Sequence, residues 1–217
     1  DVEQLNPPIF LFLFAFYNQL MTPEEIKNQR RLNFRQTNAY AMQYGALMGG
    51  YAVAAEVCFV LGLKMSPLMN IQSLLTLAYP LVVLLVAFRF RKQVSEGLPY
   101  SFGRGFFFTL LVVLYSGVWA ALVALLYLQL FDHGYLFQTY LELLNRPEMV
   151  KTMQQSGLTA QIQASTGGQT PTQVVERLQQ TPASVFAATI LYGFMLTAPI
   201  FSLISGLFTM RGSRKTY

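Results

Sequence analysis

The sequence predicts an all-α membrane protein. It should be a bundle of four transmembrane helices with an amphipathic, interfacial N-terminal segment and a partly helical outer loop between spans 3 and 4. Three observations predict it. Four apolar runs, about residues 39–63, 69–88, 106–131 and 183–210, are each long enough for a bilayer core, which takes about 20 residues. Hydrophobic residues make up 53% of the chain and charged residues only 12%, roughly half the share of a soluble domain. The basic residues also sort between alternate loops, as spans with a defined orientation require.

Residues 1–38 form the predicted N-terminal interfacial or cytoplasmic segment. The chain opens Asp1-Val2-Glu3 without a basic n-region, so no intact signal peptide is expected; Met21-Thr22-Pro23 reads as a candidate native start, with residues 1–20 an upstream extension, a trimmed segment or native chain. The run Ile9–Tyr17 is strongly apolar but too short to span. Its phenylalanines, Phe10, Phe12, Phe14 and Phe16, read as an interfacial or partner-contacting segment, with a fifth span as the alternative. Thr22-Pro23-Glu24-Glu25 reads as a helix start: a capping Thr, Pro at the first helical position, acids in the first turn. The expected amphipathic helix carries Arg30, Arg31 and Arg35 toward head groups and runs into the first span.

The membrane domain is expected over 39–210, with a basic tail at 211–217. Eleven Lys and Arg fall on the side of the N-terminus, the second loop and the tail, among them Arg89, Arg91, Lys92, Arg211, Arg214 and Lys215. Four fall on the other side: Lys64, Arg146, Lys151 and Arg177. The positive-inside rule then places both termini in the cytoplasm and the 132–182 insert outside, in the periplasm for a bacterial inner membrane. Short helices are readable in the insert at Tyr135–Asn145, Pro147–Gln155 and Thr172–Gln180, with Ser165–Pro171 as a flexible loop. An insert of this length is either functional or a helical cap on the bilayer surface.

The net charge of +5 does not point to nucleic acid, because the basic residues flank the apolar runs, where lipid head groups and topology place them. Cys58 and His133 are the only cysteine and histidine, so a multi-ligand metal centre is not expected and no cofactor is implied. Asp132-His133 lacks a nucleophile and reads as a helix cap. Trp119, Tyr100, Tyr127, Tyr135 and Tyr140 include expected interface anchors.

Glu56 is the one acid inside a span. A carboxyl at that depth is costly and marks a structural hydrogen bond, a subunit contact or an ion pathway. Gly45, Gly49, Val53 and Glu56 share one helical stripe, so Glu56 is expected on the small-residue face that another helix approaches. Candidate partners at matching depth are Gln72, Thr76, Tyr79, Tyr127, Gln129, Thr189 and Tyr192. Ala198, Ser202 and Gly206 form a second small stripe, and Pro199 is expected to kink the last span.

Several segments carry a family pattern. They are Arg89-Phe90-Arg91-Lys92, then Tyr100-Ser101-Phe102-Gly103-Arg104-Gly105-Phe106, and a last span opening Thr181-Pro182-Ala183-Ser184 and closing Ser202-Leu203-Ile204-Ser205-Gly206. Together they resemble the domain of unknown function 4199 family, small four-span inner-membrane proteins of Gram-negative bacteria, over about residues 38–215. The resemblance implies no catalytic residues. It implies an association with glycosyltransferases of the polyprenyl-phosphate type. The expected function is a non-enzymatic accessory or structural subunit of a membrane complex, its partners being membrane lipids and other subunits or copies of itself. The alternative is a small oligomeric transporter or channel using Glu56. A third class, an enzyme on lipid-linked substrates, would need acids or histidines clustered at one interface, where only Asp132, His133 and Glu142 stand.

Overall fold

A computed structural model describes residues 23–95 and 99–211. The expected partner-contact residues Phe10, Phe12, Phe14 and Phe16, and the tail residues Arg214 and Lys215, lie outside the described residues. Helices α1 (Pro23–Gly62), α2 (Ser66–Ser95), α3 (Phe102–Leu130) and α8 (Ala183–Thr209) are long and apolar enough to cross a membrane. Between α3 and α8 lie α4 (Tyr135–Leu144), α5 (Pro147–Gln155), α6 (Leu158–Ser165) and α7 (Pro171–Gln179). The protein is an all-α, multi-pass membrane bundle.

The helices outrun the apolar stretches that announce them. The N-terminal polar segment and the first span are one helix of 40 residues, with Glu24 and Glu25 in its first turn, where they complement the helix dipole. Residues 89–95, expected as loop, continue α2, and α3 starts at Phe102 because Ser101 accepts the Arg104 backbone N–H (3.3 Å) as its cap. Hydropathy reports where lipid ends, whereas backbone hydrogen bonding carries on into polar sequence. Both Pro80 and Pro199 sit inside continuous helices.

The insert holds four short helices rather than three. The missed one, α6, lies between Gly157 (φ 74°) and Gly167 (φ 70°), two left-handed positions that punctuate without abolishing helix. The stretch expected as a flexible loop closes α6 in a Schellman-type turn, with Gly168 N–H on Gln163 O (2.7 Å) and Thr166 Oγ1–H on Ile162 O (2.6 Å). Thr170 and Gln173 then form a reciprocal capping box at α7, with Pro171 in its first turn. Asp132 is buried and caps α4, accepting from the N–H groups of Gly134 (3.1 Å) and Leu136 (2.9 Å).

Packing centres on α3, which lies most extensively against α8 and α1; α2 leans on α1 and touches α8 lightly. The seams depend on glycine. A Cβ at Gly45 would stand 2.5 Å from that of Tyr115, one at Gly49 would stand 2.6 Å from that of Trp119, and one at Gly206 would meet the Phe102 ring at 2.7 Å. Trp119, expected at an interface, sits near the middle of α3 because Gly49 leaves room for it there.

Buried side chains crowd toward one end, where α1 and α3 begin and α2 and α8 finish. Phe90 stacks on Phe108 with ring centres 3.9 Å apart, and Tyr40, Tyr44 and Tyr100 pack edgewise or tilted around the pair. Two backbone hydrogen bonds of 3.0 Å tie Tyr100 to Arg211, and Arg91 donates to Thr209 O at 3.3 Å. All four buried positions of α2, Val83, Ala87, Phe90 and Ser95, lie in this half.

Candidate intramembrane cleft

Toward the other end the bundle is not filled. A cavity of about 540 Å³ lies between α1, α2 and α8, lined among others by Tyr51, Glu56, Gln72, Thr76, Thr189 and Thr197. A shallow groove continues it outward between α2 and α8 past Thr76, Pro80 and Phe201. A second cavity of about 340 Å³ lies on the far side of Glu56, between α1, α3 and α8, beneath Leu136 of α4. Its walls are Val57, Val60, Phe186 and other apolar groups, with Tyr127 at the edge. Glu56 therefore stands between a polar-sided cleft and an apolar pocket.

The physical origin is a change of role along one stripe of α1. Gly45 and Gly49 seat Tyr115 and Trp119 of α3 against α1, whereas Glu56, farther along the same stripe, borders both cavities. Across the cleft, Gln72, Thr76 and Tyr79 follow at four and three residues, one face of α2. Thr189, Gly193, Thr197 and Phe201 follow at four-residue steps on α8. That second stripe was legible in the sequence beside the Ala198–Ser202–Gly206 stripe, which packs instead on α3. Tyr51 and Phe59 were not singled out either; Tyr51 becomes a lining residue only because α2 lies beside it.

The hydrogen bonds of the lining are specific. Tyr51 Oη–H donates to Leu75 O (2.7 Å), Tyr79 Oη–H to Ser116 Oγ (3.1 Å), and Gln72 Nε2 to Thr76 Oγ1 (3.1 Å). Thr189 and Thr197 donate back to Val185 O (2.8 Å) and Gly193 O (3.0 Å) of their own helix. Tyr79 also touches the rings of Tyr51, Phe194 and Phe201, so it closes the cleft toward the aromatic core. No described residue gives Glu56 a hydrogen bond or an ion pair.

Of the partners expected for Glu56, the structure gathers Gln72, Thr76, Tyr79 and Thr189 around the larger cavity and Tyr127 around the smaller one. Gln129 and Tyr192 are exposed and line neither. In the second small stripe, Ser202 is fully buried and donates to Ala198 O (2.6 Å). Arg30, Arg31, Arg35, Arg89 and Lys92 are exposed, while Arg91 and Arg211 are half-buried in the contacts to Thr209 and Tyr100. At the same end, burial pushes the Tyr100 hydroxyl well above the ordinary tyrosine range, against the opposing pull of Arg104 and Arg91. Among the described residues, no three His, Cys, Asp or Glu side chains come together as a metal site.

Four spanning helices, aromatic packing at the basic end and a half-open, mostly apolar cleft that holds Glu56, Gln72 and Thr76 define a multi-pass helical membrane protein. The chain belongs to the family described as Protein of unknown function (DUF4199), which matches residues 43–211. The match starts inside α1, leaving the basic first turns outside it, and ends at the residue paired with Tyr100. No curated protein and no solved structure matches the chain.

Proposed function

We propose that the protein is a non-enzymatic accessory subunit of a bacterial inner-membrane assembly, with cytoplasmic termini and a periplasmic insert. The observation that carries this reading is α2, the least buried of the four spans. Its outer face presents Leu74, Leu77, Leu81 and Leu85 at steps of three and four residues, a continuous apolar ridge of the kind that packs into the groove of another helix. The gathering of Arg30, Arg31, Arg35, Arg89, Lys92 and Arg104 toward one end supports the orientation. The family resemblance points to a glycosyltransferase of the polyprenyl-phosphate type as the partner.

The test is mild extraction of the tagged chain from native membranes, followed by mass spectrometry of what co-purifies. The expected result is a stoichiometric partner that is lost when Leu74, Leu77 and Leu81 are all changed to Ala. A stable monomer with no companion overturns the reading.

A second reading, a small oligomeric transporter or channel, is favoured by the cleft itself, since Glu56 is an acid at membrane depth facing open volume on both sides. It expects Glu56→Gln to abolish a flux carried by the reconstituted protein; no flux from wild type sinks it.

A further inference from the structure

The lining of the larger cleft has a chemical bias. The hydroxyl hydrogens of Tyr51, Tyr79, Thr189 and Thr197 are all committed to protein acceptors. One Gln72 amide hydrogen is committed to Thr76. What these groups leave free is mainly oxygen lone pairs and the Glu56 carboxyl, against two hydrogens without an acceptor among the described residues, the second of the Gln72 amide and that of the Thr76 hydroxyl. The remaining walls include the rings of Phe59, Phe194 and Phe201 beside those of Tyr51 and Tyr79. Aromatic faces carry the negative end of the ring quadrupole and attract cations. Among the described residues no Lys or Arg lines the cavity. A volume of about 540 Å³ is in the range that small organic ligands occupy, roughly 300–1,000 Å³. The groove running out between α2 and α8 opens sideways at the depth of the spans, so the entry route faces lipid rather than water.

We propose that this cleft binds a lipophilic organic cation, an ammonium or comparable onium group on an apolar body, with the charge against Glu56 and the body between the aromatic walls. An anion would meet the carboxyl and the ring faces, and a neutral hydrogen-bonding ligand would find few donors. A hydrated metal ion would leave the aromatic walls unused. The cation has two sources, the head group of an aminophospholipid already in the bilayer or a free amphiphilic amine. The site goes beyond the subunit reading and rests on the cleft of the second reading, but it requires neither a partner nor a flux.

The experiment titrates the full chain in phosphatidylglycerol nanodiscs with tetraphenylphosphonium by calorimetry, with empty nanodiscs as reference. Tetraphenylborate, nearly the same shape with opposite charge, is the control. The expected result is saturable one-to-one binding of the phosphonium, no matching binding of the borate, and at least tenfold weaker binding in Glu56→Gln. Phe201→Leu keeps apolar bulk and removes one ring, and should weaken binding by about two- to fivefold. Replacing half the lipid with phosphatidylethanolamine separates the sources. A raised apparent Kd assigns the cleft to the lipid head group, and an unchanged one assigns it to a free cation. Absence of saturable binding, equal affinity for the two probes, or full affinity in a folded Glu56→Gln variant overturns the proposal. If that variant does not fold, the probe pair and Phe201→Leu still decide. Binding is read without partner or gradient, so failure to co-purify a subunit or to carry flux leaves this result independent.

Discussion

At the basic end of the bundle, Phe90 lies flat on Phe108 at 3.9 Å, the chain bridges Tyr100 to Arg211, and glycines bring helices to backbone contact. At the insert end, the same four helices enclose two cavities, and Gly193 of α8 has no atom within 4 Å of where its Cβ would be. One half is packed to exclusion and the other left open, although the same four apolar helices run through both. Lipid explains how this is possible. Apolar side chains gain little by leaving lipid for protein, so packing, rather than hydrophobicity, decides where spans close. The closed half stacks Phe90 on Phe108 and seats Phe102 over Gly206; the open half carries Glu56 and Gln72 among rings that border the cavities.

The contrast breaks most directly at the aromatic stack. Phe90→Ala should cost about 3–5 kcal/mol, because it empties a fully buried site that rigid neighbours cannot refill. Unfolding by detergent titration measures it, and a cost under ~1 kcal/mol would mean that the packed end is not the stabilising half. The next largest effect is expected at the α1–α3 seam. Gly45→Leu forces a Cβ onto that of Tyr115, at a cost of about 1–3 kcal/mol in the same assay. Tyr79→Phe removes the bond to Ser116 but keeps every ring contact, and should cost about 0.5–1.5 kcal/mol.

Tyr100→Phe sharpens the comparison from the other direction. The buried Tyr100 hydroxyl has no hydrogen-bond partner among the described residues, so removing it should be neutral or stabilise by about 1 kcal/mol. Its pH dependence follows from the raised ionisation. Stability should be level below the ordinary value of 10.0 and fall as pH rises from there toward the raised value, because the unfolded chain loses the proton first. The variant should lose that alkaline step. Smallest of all, Gly193→Ala places a methyl in open space within a helix and should change stability by no more than about 1 kcal/mol, in the favourable direction. A loss as large as that of Gly45→Leu would show that the cleft is closed in the folded protein.

Much of this architecture was legible in the chain. Length and hydropathy marked the four spans, the small-residue stripes marked faces that approach another helix, and Glu56 stood out as the lone acid. Helix ends were not legible, because Arg89-Phe90-Arg91-Lys92 looks like a loop by hydropathy yet hydrogen-bonds as helix. The α6 helix was hidden by its flanking glycines. The lining stripe Thr189–Gly193–Thr197–Phe201 was visible as a period but had no meaning until α2 and α1 were known to face it.

The sequence by itself determined that this chain enters a membrane, with four spans over residues 39–210, a long insert and one acid within those spans. Those features follow from the cost of exposing polar groups to lipid, a local property of each segment. Only the tertiary structure decided that Gly45 and Gly49 meet α3 while Glu56, on the same stripe, meets empty volume. That outcome depends on contacts between residues distant in the chain, such as Phe90 with Phe108, which fill one end of the bundle while cavities remain at the other.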